Sequence, residues 1–253
     1  MTSLDAGRGP AVEPAPVFDE AAIAGLPRPV QRYFRTVLRP GQRPIIAAAL
    51  EHSGRLRIDD RRQASSPFTS MEQVRMGPPG FLWDGRIRMA PGLYVHVHDA
   101  YLEGEGLLEA RVAGLRVVAN QHGTAEIARG ELARYLAESP WYPTALLPGA
   151  GVSWEAVDEN AARATLTDGA TTVRLTFGFG GDGLIDTVRA EDRPRMLEGS
   201  LVPTPWEGRF WNYAERDGVL VPLDGEVAWH PPSGPLPPYW RGHLEGVRFA
   251  YDD

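Results

Sequence analysis

The 253-residue chain contains neither cysteine nor lysine. Without cysteine there is no disulfide framework, no thiolate nucleophile and no thiolate-held zinc or iron–sulfur site. Without lysine there is no Schiff-base chemistry and no Walker-type phosphate lysine. No apolar run approaches the ~20 residues of a membrane-spanning helix. The first 18 residues hold no apolar signal-peptide core. Together these absences give the expectation of a cytoplasmic chain. A formal net charge of −7 argues against nucleic acid as a partner. There is no Gly-x-Ser-x-Gly elbow, and the glycine-rich run Gly178–Gly183 leads into a strand pattern rather than a helix, so it reads as a hairpin turn. No cofactor is expected.

What is present is mostly alternation. Met1–Val17 mixes Gly, Pro and acids and reads as a disordered lead-in, leaving 18–253 as a single domain with no linker and no fixed-period repeat. In Pro27–Leu38, positions 30, 33, 34, 37 and 38 form one apolar helical stripe, with Arg28, Arg32, Arg35 and Arg39 on the other side. That helix is expected to pack on a sheet, with weak contact to an anionic membrane surface as a second use of its basic side. From Ile45 to about Gln121 the period is two: segments 45–58, 67–77, 80–90, 92–103 and 105–119 read as strands. Thr124 caps a helix running to Glu138, and the apolar stretch Trp141–Pro148 is expected to tuck inward as a lid or plug. Seven further strands follow, near 152–158, 162–168, 171–179, 184–192, 200–213, 219–229 and 239–250. This order predicts a mainly β protein with some α. One strongly curved antiparallel sheet, a half-barrel, embraces a central helix and lid, and the N-terminal helix packs outside or across it.

Two registers matter for function. A three-residue Ala90-Pro91-Gly92 loop pairs Arg86 with His96 and Asp84 with His98, whereas a two-residue turn scrambles the faces; face consistency favours an odd loop or a bulge. In Pro203–Tyr213, Trp206 and Phe210 share one face while Glu207, Arg209, Trp211 and Tyr213 share the other. The apolar face is expected to meet the core, and the face with rings around an ion pair to line a pocket.

The runs Leu26–Arg35, Arg86–Gly92, Arg134–Glu138 with Trp141–Thr144, and Pro203–Gly208 resemble a bacterial family of uncharacterised soluble proteins, over about residues 26–245. The element order is similar to the lipoprotein-carrier (LolA-like) half-barrel, which implies an incomplete barrel with helices over its mouth.

Two functions are consistent with these residues. The first is binding of an apolar or amphipathic, lipid-like small molecule in the concave pocket. Trp83, Tyr94, Trp141, Tyr142, Trp206, Trp211 and Tyr213 would supply apolar contact, and Arg86, Glu207 and Arg209 would orient a polar head. The second is a metal-independent lyase, isomerase or hydrolase in the same pocket, with Glu207 and either His96 or Asp84 as acid and base. His96 and His98 share a strand face, but no third ligand is fixed by spacing, so they read as unmetallated histidines.

Overall fold

A computed structural model describes residues 18–57, 64–112, 116–197 and 199–252. The lead-in Met1–Val17 lies outside them. The first arm of the sheet comprises β1 (Ile45–Leu56), β2 (Ser66–Arg75), β3 (Gly80–Ala90), β4 (Leu93–Leu102), β5 (Glu105–Val112) and β6 (Arg116–His122). The second arm comprises β7 (Val152–Ala156), β8 (Ala161–Asp168), β9 (Thr171–Phe179), β10 (Ile185–Leu197), β11 (Ser200–Arg216), β12 (Val219–Trp229) and β13 (Trp240–Tyr251). The stretch read from sequence as one strand, 105–119, is thus two strands, β5 and β6, and its turn lies outside the described residues.

Each arm is a meander, and the first and last strands pair, giving one 13-stranded antiparallel sheet ordered β6-β5-β4-β3-β2-β1-β13-β12-β11-β10-β9-β8-β7. Its two edge strands, β6 and β7, are consecutive in the chain. The connection between them must therefore cross from one rim to the other, and it does so through the concavity. It contains α3 (Ala125–Glu138) and the short 3-10 turns at Ser139–Trp141, Pro143–Leu146 and Pro148–Ala150. The preceding helices are α1 (Glu20–Ile23) and α2 (Arg28–Val37). The architecture is the curled half-barrel around a central helix that the alternation and element order predict.

Local chemistry explains each helical piece. The Thr124 hydroxyl accepts a hydrogen bond from the Ile127 N–H and starts α3. Ile127, Leu132, Tyr135 and Leu136 bury its inner stripe. Pro140 does not end the apolar run; the chain tightens into 3-10 turns that bury Trp141, Tyr142, Ala145 and Leu146 as a plug. The Tyr142 hydroxyl donates to the Tyr135 carbonyl at 2.7 Å, and the Trp141 indole N–H donates to the Pro222 carbonyl at 2.9 Å. Across the opening, Tyr101 of β4 donates to Asp168 at the end of β8 at 2.7 Å, tying one arm to the other.

Pro29 sits in the first turn of α2, where its missing N–H is harmless. Val30, Tyr33, Phe34 and Val37 are buried where β8 and β12 meet the helix. Its basic side is largely engaged within the protein. Arg32 donates to Asn160 at 3.2 Å, Arg35 pairs with Glu20 at 2.8 Å, and Arg39 pairs with Glu215 at 2.6 Å. Of the four arginines on the basic stripe expected for membrane contact, Arg35 and Arg39 are paired with carboxylates in place. Among the described residues no helix is long and apolar enough to cross a membrane.

Candidate functional site

The concave face is paved with indoles, and a short sequence pattern explains how. Trp-x-Gly occurs at Trp83–Gly85, Trp206–Gly208 and Trp240–Gly242, each on an inward-facing row. In a strand the next side chain on the same face is two residues on. Glycine at that place leaves a gap in which the ring lies flat along the strand. A methyl on Gly85 would stand 2.1 Å from the Trp83 ring, and one on Gly242 would stand 2.4 Å from the Trp240 ring. At Gly208 the corresponding distance is 3.1 Å. Rings that lie flat do not fill the hollow above them. A cavity of about 360 Å³ remains between the sheet, α3 and the plug, walled by Trp83, Trp141, Trp206, Trp240, Phe210 and Val227.

The opposite side of this cavity is polar, and α3 supplies its centre. Glu131, Arg134 and Glu138 lie on one helical face. Arg134, with a side chain only 14% exposed, meets Asp99 of β4 at 2.6 Å, Glu138 at 2.8 Å and Glu72 of β2 at 3.6 Å. Its guanidinium also lies over the Phe81 and Trp83 rings, at 4.8 and 5.2 Å. A break in register between Ala190 and Arg193 of β10 turns Arg193 inward, where it covers the Trp206 ring at 4.7 Å.

Burial shapes the titration of these groups. Desolvation raises Glu72 well above the usual carboxyl range, and the neighbouring Glu138 carboxylate adds to the effect. Asp99 is raised by desolvation despite Arg134. Desolvation, then the Asp99 charge, pushes Glu131 up to about 8. His52 of β1 is 3% exposed; desolvation and then Arg134 depress it to about 3, so its ring is neutral. Five buried atoms of these cavity-lining side chains lack a hydrogen-bond partner: His52 Nε2, Glu72 Oε1, Asp99 Oδ1, Glu131 Oε2 and Glu138 Oε2. Among the described residues no group of three or more His, Asp or Glu is disposed to hold a metal ion.

The residues expected from sequence divide clearly. Trp83, Trp141 and Trp206 line the cavity. Tyr142 is fully buried behind it as part of the plug. Arg86 and Tyr94 lie on the convex face, the guanidinium 3.8 Å above the ring centre. Glu207, Arg209 and Trp211 are on that face too, contrary to expectation. Even-numbered residues 204 to 210 are the buried ones, Trp211 is 39% exposed, and Glu207 sits 3.7 Å from Arg189 of the neighbouring strand. The physical reason is that the hollow is lined by the apolar row itself, Trp206 and Phe210, and the ion-pair row is solvated. Tyr213 follows Asn212, whose backbone is left-handed, and donates to the Ile185 carbonyl at 2.9 Å near Tyr33 of α2, away from the cavity.

The hairpin at Pro91-Gly92 combines both alternatives. A two-residue turn is followed by a register shift between Arg88 and Ala90, so Arg86 faces His96 and Asp84 faces His98. His98 and Asp84 are hydrogen-bonded on the convex face. Glu207 on β11 is separated from Asp84 on β3 by β2, β1, β13 and β12, roughly 24 Å along the sheet at normal strand spacing, and from His96 on β4 by β3 as well. These groups cannot act on one substrate atom, so Glu207 does not form an acid–base pair with His96 or Asp84.

Glu72, Glu131, Arg134, Glu138, His52, Arg193 and Trp240 were not singled out from the sequence. Two clues were available. One is the threefold Trp-x-Gly pattern; the other is a carboxylate on an otherwise apolar row, as at Phe68-x-Ser70-x-Glu72-x-Val74.

The sequence profile of DUF6920, a family of unknown function, matches residues 24–249. No curated protein matches the chain. Three solved structures are similar over most of their length. A putative outer membrane lipoprotein-sorting protein domain from Vibrio parahaemolyticus shares 12% identity at a TM-score of 0.42, covering 80% of this chain and 85% of that one. The LolA superfamily protein NE2245 from Nitrosomonas europaea shares 11% identity at 0.43, covering 88% and 92%. A DUF1329 family protein from Desulfovibrio piger shares 14% identity at 0.45, covering 94% of each.

Proposed function

Because the chain belongs to this family of unknown function, we propose from the cavity itself that the protein binds an amphipathic, lipid-like small molecule between α3 and the concave face. One observation carries the reading. A single hollow joins a wall of four indoles to a cluster of buried polar atoms that lack full hydrogen bonding. A wholly apolar guest would leave those atoms unsatisfied, at about 1–3 kcal/mol each. A wholly polar one would gain nothing from the rings. At about 360 Å³ the space suits a short-chain or compact ligand. The cytoplasmic location expected from sequence belongs to the same reading, and fractionation of cells expressing the full chain checks it.

Native mass spectrometry of protein purified from cells, paired with uptake of the neutral dye phenylnaphthylamine, tests the proposal. The expected result is a co-purifying adduct or saturable dye fluorescence that Trp206→Ala weakens. Protein that is uniformly empty and also fails to take up the dye overturns it.

A further inference from the structure

We propose that the polar end of the cavity receives a protonated amine, so that the ligand is an amphipathic amine and not a fatty acid. The inference rests on the binding function proposed above and names its ligand class.

The first ground is a mismatch between donors and acceptors. Arg134 already gives its N–H groups to Asp99 and Glu138. The Trp141 indole N–H is spent on the Pro222 carbonyl, and that of Trp206 on the Tyr239 hydroxyl at 2.9 Å. The Asp99 and Glu131 atoms without a hydrogen-bond partner are carboxyl oxygens, as are those of Glu72 and Glu138, which lie against each other with Glu72 Oε1 3.6 Å from Arg134. Five acids line the cavity, Glu72, Asp99, Glu131, Glu138 and Glu226, the last already paired with Arg241, against two lining cations, Arg134 and Arg193. Burial holds the protons on Glu72 and Glu131 at neutral pH, so a guest that satisfies these oxygens as carboxylates brings hydrogen-bond donors and positive charge in exchange for a proton. An alkylammonium brings three N–H donors and one charge, whereas a carboxylate brings neither.

The second ground is independent of the acids. His52 enters from the opposite wall on β1, nine-tenths buried and more, with Nε2 unpartnered and the ring neutral at ordinary pH. Its ring centre is 4.6 Å from that of Trp141 and 5.9 Å from that of Trp240. Neutral imidazole and flat indole faces around a hollow form the kind of aromatic cage that attracts an organic cation. A bare metal ion is a poorer occupant, since no trio of ligating side chains converges among the described residues.

Proton linkage follows from the groups that face the site. These are Glu131, Arg134 and Glu138 from α3, His52 from β1, Glu72 from β2, Asp99 from β4, Arg193 from β10, Glu226 from β12, which is paired with Arg241, and Tyr239 just before β13. Burial keeps the Glu131 proton on until about pH 8. An arriving ammonium must displace that proton, so amine affinity should rise from pH 6 to 8 while the affinity of a neutral alcohol stays flat.

Isothermal titration of the full chain with octylamine, octanol and octanoate tests this. Charged hydrogen bonds predict octylamine binding at least about tenfold tighter than octanol, with octanoate weakest. Glu131→Gln should weaken octylamine by about fivefold or more at pH 8 and remove its pH dependence, leaving octanol unchanged; Glu138→Gln provides a second reading if that variant folds poorly. Octanoate or octanol binding as tightly as octylamine overturns the amine assignment, as does octylamine binding that ignores both pH and the Glu131 and Glu138 substitutions. If none of the three binds, the proposed function itself falls.

Discussion

Gly242→Ala is the most direct probe of how the hollow is kept open. The new methyl would lie 2.4 Å from two carbons of the Trp240 indole, well inside van der Waals contact. The backbone of Gly242 pairs with Gly54 of β1 and Gly225 of β12, so it cannot retreat without breaking two ladders. The ring must lift instead, and the free space above it is the cavity. Overpacking of this kind costs about 1–3 kcal/mol. Replacing glycine restores about 0.4–1 kcal/mol by restricting the unfolded chain. The net is a loss of about 1–2 kcal/mol, a fall in Tm of roughly 2–8 °C for a chain of this size. Ligand or dye affinity should fall more than stability does, because the displaced indole occupies the binding space. Gly208→Ala is the internal control: its methyl stands 3.1 Å from the Trp206 ring, so little change in Tm is expected. Calorimetry and dye titration on both variants, repeated in a Trp240→Leu background, decide the matter. If the Gly242→Ala penalty persists when the indole is gone, or if Tm and affinity match the parent, the account of the flat indoles is wrong.

Three further outcomes can be checked with the same preparations. Arg134→Leu leaves Glu72, Asp99 and Glu138 without their shared cation and should destabilise by about 3–5 kcal/mol at pH 7, with partial recovery at pH 5 as the acids take up protons, seen in denaturant melts. Glu131 has a folded-state value raised to about 8, so the stability it contributes is complete below about 4.5 and is lost as pH rises through 8; His52, depressed to about 3, acts in the other direction, losing its contribution as pH falls below 6.5. Above pH 6.5 the falling trend remains, shared by Glu131 and the raised Glu72, so Tm should fall between pH 6.5 and 8.5, and Glu131→Gln should reduce that slope; a parent Tm that rises over this range contradicts the assignment. Glu207→Gln and Arg209→Gln, being on the solvated convex face, should shift stability by no more than about 0.5 kcal/mol and leave dye binding intact.

The sequence was informative where one face of a strand is uniformly apolar. Trp83, Gly85 and Ile87 against Asp84, Arg86 and Arg88 admit only one burial. It was misleading where both faces carry rings. Around Trp206–Trp211 the period of two is correct and its polarity is inverted, because aromatic content alone does not separate a wall from an exterior. Glycine two residues after each tryptophan would have settled the choice, since only a ring laid along the inside requires that gap. The acidic centre was hidden for another reason. Glu131, Arg134 and Glu138 have the spacing of any solvated helical face, and only the crossing of α3 from edge to edge turns that face into an interior.

The placement of β13 beside β1 has a consequence for biogenesis. Each arm zips up from neighbouring hairpins, so six strands can fold soon after they leave the ribosome. Their inner border, β1, then stays an open template until the final strand emerges some two hundred residues later. A nascent chain halted before Trp240 would carry two sticky borders where the finished protein has a closed seam, and cells must shield that intermediate or translate through it quickly.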